Sequence, residues 1–132
     1  MNDTGLVEYI KKSIPDLIAL YRFGSQAKGT ARPDSDVDLA VLARYPIPAL
    51  RRFELAQELA TQLHRDVDLV DLRSASTVMR MQVISTGECL FTVSDRLQGA
   101  FEDLVYSTYA RLNEERREIL NDVRTRGSVY AG

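Results

Sequence analysis

Two kinds of hydrophobic spacing alternate along this chain: short apolar runs, and longer stretches in which apolar residues recur every three or four positions. The first kind marks strands, and the second marks helices that bury one face. Leu6, Val7 and Ile10, behind Asp3 or Thr4 as a capping residue, predict a short helix over residues 3–13, limited by Pro15. The continuous apolar segment from Asp16 to Phe23, bounded by Pro15 and Gly24, predicts a buried strand. Residues 25–35 contain Gly29, Pro33 and several small polar side chains, and predict a loop or a short helical turn. Asp36 to Leu42 predicts a second strand with clear alternation. Asp36, Asp38 and Ala40 point one way and Val37, Leu39 and Val41 the other, so both carboxylates share a face.

Beyond Pro46 and Pro48, the spacing of Leu50, Phe53, Ala56, Leu59, Ala60 and Leu63 predicts an amphipathic helix ending near His64, which reads as a helix-end residue. Asp66 to Leu72 repeats the strand alternation, with Val67, Leu69 and Asp71 on one side and Asp68 and Val70 on the other. Ser74 to Thr86 predicts a further helix closed by Gly87, and Glu88 to Val93 a last short strand. From Ser94 to about Arg126 a stripe of Leu97, Phe101, Leu104, Val105, Leu112, Ile119 and Val123 beside a charged face predicts one long helix, stopped by Gly127. The order of elements gives an α/β (or α+β) fold: a small mixed sheet with helices on one face and a long C-terminal helix. Its 132 residues suit one domain, with a core over about 14–93 and the last helix over about 94–126. Such an apolar stripe is ordinarily core, but the helix is long for one small sheet, which leaves its distal end, Leu112 to Val123, as a candidate partner surface.

Composition narrows the function classes. Seventeen basic and nineteen acidic residues give a net charge of −2, which leaves no basic footprint for nucleic acid or a polybasic membrane anchor. Any polyanion must therefore be held locally. No apolar run approaches the roughly 20 residues that span a bilayer, and no basic-apolar leader opens the chain. Cys89 is the only cysteine, which excludes an internal disulfide and a multi-cysteine zinc site and suits a reducing cytoplasm. Within Cys89-Leu90-Phe91 it is expected to be a small buried side chain.

The chemistry gathers at Gly24-Ser25 and Asp36-Val37-Asp38. Gly24 lets backbone approach a phosphate closely, and Ser25 adds a hydroxyl and an N–H where a helical turn would favour an anion. Asp36 and Asp38, about 7 Å apart along one strand face, suit hard cations, which prefer carboxylate oxygens. Nucleotidyl transfer needs such cations, commonly two magnesium ions about 4 Å apart, to neutralise a triphosphate and align the reacting oxygens. An Asp-x-Asp pair by itself is commonly solvated surface; its position behind a Gly-Ser turn leaving a buried strand gives it meaning. Gly24-Ser25-Gln26-Ala27-Lys28-Gly29 begins like a P-loop, but Thr30 stands where the required lysine would follow the second glycine.

Gly24-Ser25, ten intervening residues and Asp36-Val37-Asp38, preceded by Ala31-Arg32-Pro33-Asp34-Ser35, resemble the minimal nucleotidyltransferases of the DNA polymerase beta superfamily. The resemblance extends over residues 17–72 and implies a nucleotidyltransferase-type fold, ATP as co-substrate, and magnesium held by Asp36, Asp38 and a third carboxylate on a later strand. Asp68 matches that position, with Asp66 as the alternative and Asp71 the weaker candidate. The third carboxylate would be a metal ligand or the base for the acceptor hydroxyl. Gly24, Ser25, Lys28 and Arg32 are the candidate nucleotide contacts. Among small members the chain is similar to antitoxins that neutralise a HEPN-domain ribonuclease toxin. That likeness implies transfer of AMP from ATP to a tyrosine of the toxin. The alternatives are transfer to a small hydroxylated molecule such as an aminoglycoside, or an antitoxin that masks the toxin by binding alone.

Overall fold

The computed structural model describes residues 1–24 and 36–125. Its elements run α1 (Asp3–Ser13), β1 (Leu17–Phe23), β2 (Val37–Ala43), α2 (Ala49–Leu63), β3 (Val67–Asp71), α3 (Thr77–Thr86), β4 (Glu88–Thr92) and α4 (Asp95–Thr125). The predicted loop over residues 25–35, with Ser25, Lys28 and Arg32, lies outside the described residues, as does Gly127 beyond α4. Helix α1 is capped by Asn2, whose side chain accepts from the Gly5 N–H at 2.8 Å, in place of the expected Asp3 or Thr4. His64 closes α2 in the left-handed conformation at φ 54°, so it is a helix-end residue as expected. Among the described residues no helix is long and apolar enough to cross a membrane.

The sheet is mixed, with strand order β3-β2-β1-β4. Strand β1 pairs antiparallel with β2 and β4, while β2 and β3 run parallel with α2 as their crossover. Both faces of the sheet are apolar, and this corrects the expectation of helices on one face only. Leu20, Leu39, Val41 and Leu69 face Leu6 and Ile10 of α1 and Leu55 and Leu59 of α2. Tyr21, Phe23, Ala40 and Leu42 face Val83 of α3 and Phe101 and Val105 of α4. A sheet with two apolar faces needs a helical layer on each.

Two further expectations change. In α2 the buried residues are Leu55 and Leu59, whereas Leu50 and Phe53 are exposed, because at about 100° per residue the latter pair lie off the face that meets the sheet. Cys89 is exposed rather than buried, because among the described residues β4 is an outer strand with no strand beyond it. Its thiol is pushed up chiefly by desolvation, which argues against an activated thiolate. The proximal part of α4 buries Phe101 and Val105, but no described residue beyond Val105 is buried, and Ile119, Leu120 and Val123 are exposed.

Candidate active site

Gly24 and the parallel register of β2 with β3 bring the predicted residues together. Gly24 follows the last residue of β1 at φ +72°, a conformation that side chains other than glycine rarely adopt. Phe23 pairs with Asp38 across the antiparallel β1–β2 ladder, so the Asp38 side chain stands against Gly24. A Cβ on Gly24 would lie 3.0 Å from Asp38 Cγ and closer still to its Oδ2. The glycine is thus required twice, by its backbone conformation and by the carboxylate packed on it.

On the other side of β2, Asp38 pairs in register with Asp68 of β3. Paired residues of neighbouring strands project from the same face, so the two carboxylates lie side by side, on the face that carries α3 and α4. The Val37 N–H donates to the Asp66 carbonyl at 2.9 Å and pins the two strand starts together. Desolvation raises the Asp38 carboxyl above its ordinary value of 3.8, and the negative charges of Asp68 and then Asp36 raise it further. Asp36, Asp38 and Asp68 therefore form one electrostatic unit. Among the described residues no basic side chain forms an ion pair with Asp38 or Asp68.

The other candidates for the third carboxylate sit differently. Asp66 is exposed and contributes its carbonyl to the strand pairing, and it is not among the charges that act on Asp38. Asp71 is buried on the opposite face of β3 and is occupied: it accepts from the Ile47 N–H at 2.9 Å, the Arg73 N–H at 3.0 Å and the Ser74 hydroxyl at 2.9 Å. It holds the chain where it turns out of β3. Ser25, Lys28 and Arg32 lie outside the described residues.

Two polar clusters support the site without being apparent from sequence spacing. On the α4 side, the Tyr21 hydroxyl donates to Glu102 Oε2 at 2.6 Å, and Gln98 Nε2 donates to both, at 3.2 Å and 2.9 Å. Burial and then Glu102 push the Tyr21 phenol well above its ordinary range, so it remains a proton donor and ties α4 to β1. On the α1 side, Arg22 pairs with Asp3 at 2.9 Å and with Glu88 at 2.6 Å, joining α1, β1 and β4 just before Gly24. Glu102 is far in sequence from Tyr21, and Asp3 and Glu88 are far from Arg22, so no local pattern announces either cluster.

A cation fits the chemistry of this donor set: hard carboxylate oxygens, negative neighbours and, among the described residues, no pairing base. The side chains do not close around one unaided, for among the described residues no three His, Cys, Asp or Glu groups are gathered tightly enough to hold a metal ion.

Comparison with known proteins agrees with this geometry. A family model described as polymerase beta, nucleotidyltransferase matches residues 5–96. Protein adenylyltransferase MntA of Shewanella oneidensis is 42% identical over 125 residues, which span 93% of this chain and 88% of the relative. A crystal structure of a toxin–antitoxin complex with AMP-PNP contains a chain 41% identical, with a TM-score of 0.85 over 94% of this chain and 99% of that one. A complex of tri-AMPylated Shewanella oneidensis HEPN toxin with its MNT antitoxin contains a chain 38% identical, with a TM-score of 0.78 over 92% and 95% of the two chains.

Proposed function

The chain belongs to the polymerase beta nucleotidyltransferase family, and from this premise we propose that it is the antitoxin of a HEPN-domain ribonuclease toxin and inactivates that toxin by transferring AMP from ATP to a tyrosine. The observation that carries the chemistry is the strand register that seats Asp68 beside Asp38, with Gly24 on the other flank. The likeness to MntA along nearly the whole chain supports the partner and the acceptor class.

Asp36, Asp38 and Asp68 are the residues that would hold magnesium, which when bound would neutralise the triphosphate and the charge that develops during transfer. Gly24 lets the backbone and Ser25 approach the phosphates. The tyrosine oxygen attacks the α-phosphorus, a new P–O bond forms, and the bond to the departing pyrophosphate breaks. Asp68, exposed at the end of this cluster, takes the phenolic proton. Lys28 and Arg32 contribute phosphate contacts from the segment after Gly24. A reaction that draws on ATP and magnesium suits the cytoplasm. The toxin also covers the exposed apolar residues of distal α4, which the chain's own sheet leaves uncovered.

The test is the intact mass of the HEPN toxin after incubation with this chain, magnesium and ATP, beside the Asp36→Asn, Asp38→Asn double variant. An increment of one or more AMP units with the wild type, absent with the variant, is the expected result. An unchanged toxin mass in a complex that still forms would replace transfer by masking.

A further inference from the structure

The strand order separates two flanks of Asp38. One flank is β1, ending at Gly24, where the proposed phosphate turn begins. The other is β3 with Asp68, and among the described residues β3 is an outer strand with no further strand on its far side. In an in-line displacement the attacking oxygen approaches opposite the leaving group. If pyrophosphate departs on the Gly24 flank, the acceptor comes from the β3 flank.

An open groove of about 410 Å³ lies on that flank, lined by Asp68 together with Arg52, Val70, Ala75, Met79, two serines and Asp71, whose carboxylate is already taken by its three donors. This is in the size range of sites that take a small ligand or a large side chain. Its walls differ in character. Val70 and Met79 are half-buried apolar side chains at the margin of the core under α3 and α4. Arg52, from α2, donates Nη1 to the Leu69 carbonyl at 3.1 Å, which fixes the guanidinium on the strand edge while its fork carries further donors. That bond also occupies an edge carbonyl, so the groove favours an inserted side chain over an added strand. The serines of the rim are already engaged: the Ser74 hydroxyl donates to Asp71, and the Ser76 hydroxyl accepts from the Met79 N–H. What remains for recognition is an apolar wall, one guanidinium and one carboxylate. An aromatic ring bearing a hydroxyl matches that set, with the ring on the apolar wall and the hydroxyl at the carboxylate.

We infer that this groove is the acceptor subsite: Val70 and Met79 receive the ring of the toxin's tyrosine, Arg52 holds its flanking backbone or an acidic neighbour, and the phenolic oxygen meets Asp68. The inference rests on the reading of the chain as a protein adenylyltransferase.

The test compares Arg52→Gln and Met79→Glu with wild type in the full chain, with the HEPN toxin as acceptor. The expected result is a rise of about tenfold or more in KM for the toxin, with KM for ATP within about twofold. Met79→Leu should recover most of the loss. AMP-PNP binding and thermal melting report whether each variant is folded. An unchanged toxin KM in the folded variants overturns the inference, and so does an equal rise in KM for ATP, which would put the groove on the donor side. A binding readout separates the groove from the chemistry: benzoylphenylalanine placed at Ala75 is photolysed with the toxin and the crosslink mapped. A crosslink to a tyrosine-bearing segment supports the groove even if no AMP is transferred, a result that would sink only the adenylyltransferase reading. Crosslinks confined to other toxin surfaces, or none at all, overturn the groove.

Discussion

Asp68 and Asp71 lie three residues apart on one strand and have opposite fates. Asp71 is 5% exposed, faces the α1–α2 side and is satisfied by three donors, one from the turn that enters α2 and two from the chain just after β3. Asp68 is exposed, faces the α3–α4 side and has another carboxylate, Asp38, as its register partner. A buried carboxylate surrounded by donors has its energy supplied by the fold, because removing it strands those donors. Carboxylates set side by side without a base do the reverse. They cost the fold a little, because each negative charge disfavours the other. Burial alone would have ranked Asp71 as the more important residue; register with Asp38 makes Asp68 the candidate for the proposed site.

The widest separation should come from Asp36→Asn with Asp38→Asn: AMP transfer falls on the order of a thousandfold or more, while thermal melting stays level or rises as like charges are removed. A parallel collapse of the melting temperature would erase the distinction between the two kinds of aspartate. Asp71→Ala should show the opposite profile, losing about 3 kcal/mol in urea unfolding as three donors lose their acceptor. Transfer per folded molecule should remain within about twofold of wild type. Asp68→Asn should lower transfer on the order of a hundredfold with little change in stability. Asp66→Asn should leave the rate near wild type, and equal effects of the two would reopen the choice of third carboxylate.

The smallest effect is in pH dependence. The folded Asp38 carboxyl binds its proton more tightly than the unfolded one, whose ordinary value is 3.8. Its contribution is therefore favourable when protonated and is lost as pH rises from 3.8 through the raised folded value. Urea unfolding in the presence of a chelator should show stability falling with pH across that window, and Asp38→Asn should flatten the slope. A slope that persists in the variant would assign the linkage to another group.

The strands are legible in the sequence because each is a short apolar run between turn residues, and the alternation of β2 is enough to put Asp36 and Asp38 on one face. Gly24 is legible as a place of close approach, although nothing in the sequence shows that Asp38 is what approaches it. In α2, Leu50 and Phe53 fit a helical repeat as well as Leu59 does, and only packing against the sheet selects Leu55 and Leu59 for burial. Cys89 misleads because an apolar run reads the same in an outer strand as in an inner one. Arg52 and the groove leave no sequence signal, since an arginine in an amphipathic helix is ordinarily part of its solvated face.

By itself the sequence determined the order of elements, the shared face of Asp36 and Asp38, and the glycine turn ahead of them, because each is set within a few residues by side-chain period and backbone sterics. The tertiary structure decided which later carboxylate joins them, which residues of each helix are buried, and where the chain leaves an open groove. Those are matters of strand order and register between segments some thirty residues apart, and local periodicity holds no information about which strand lies beside which.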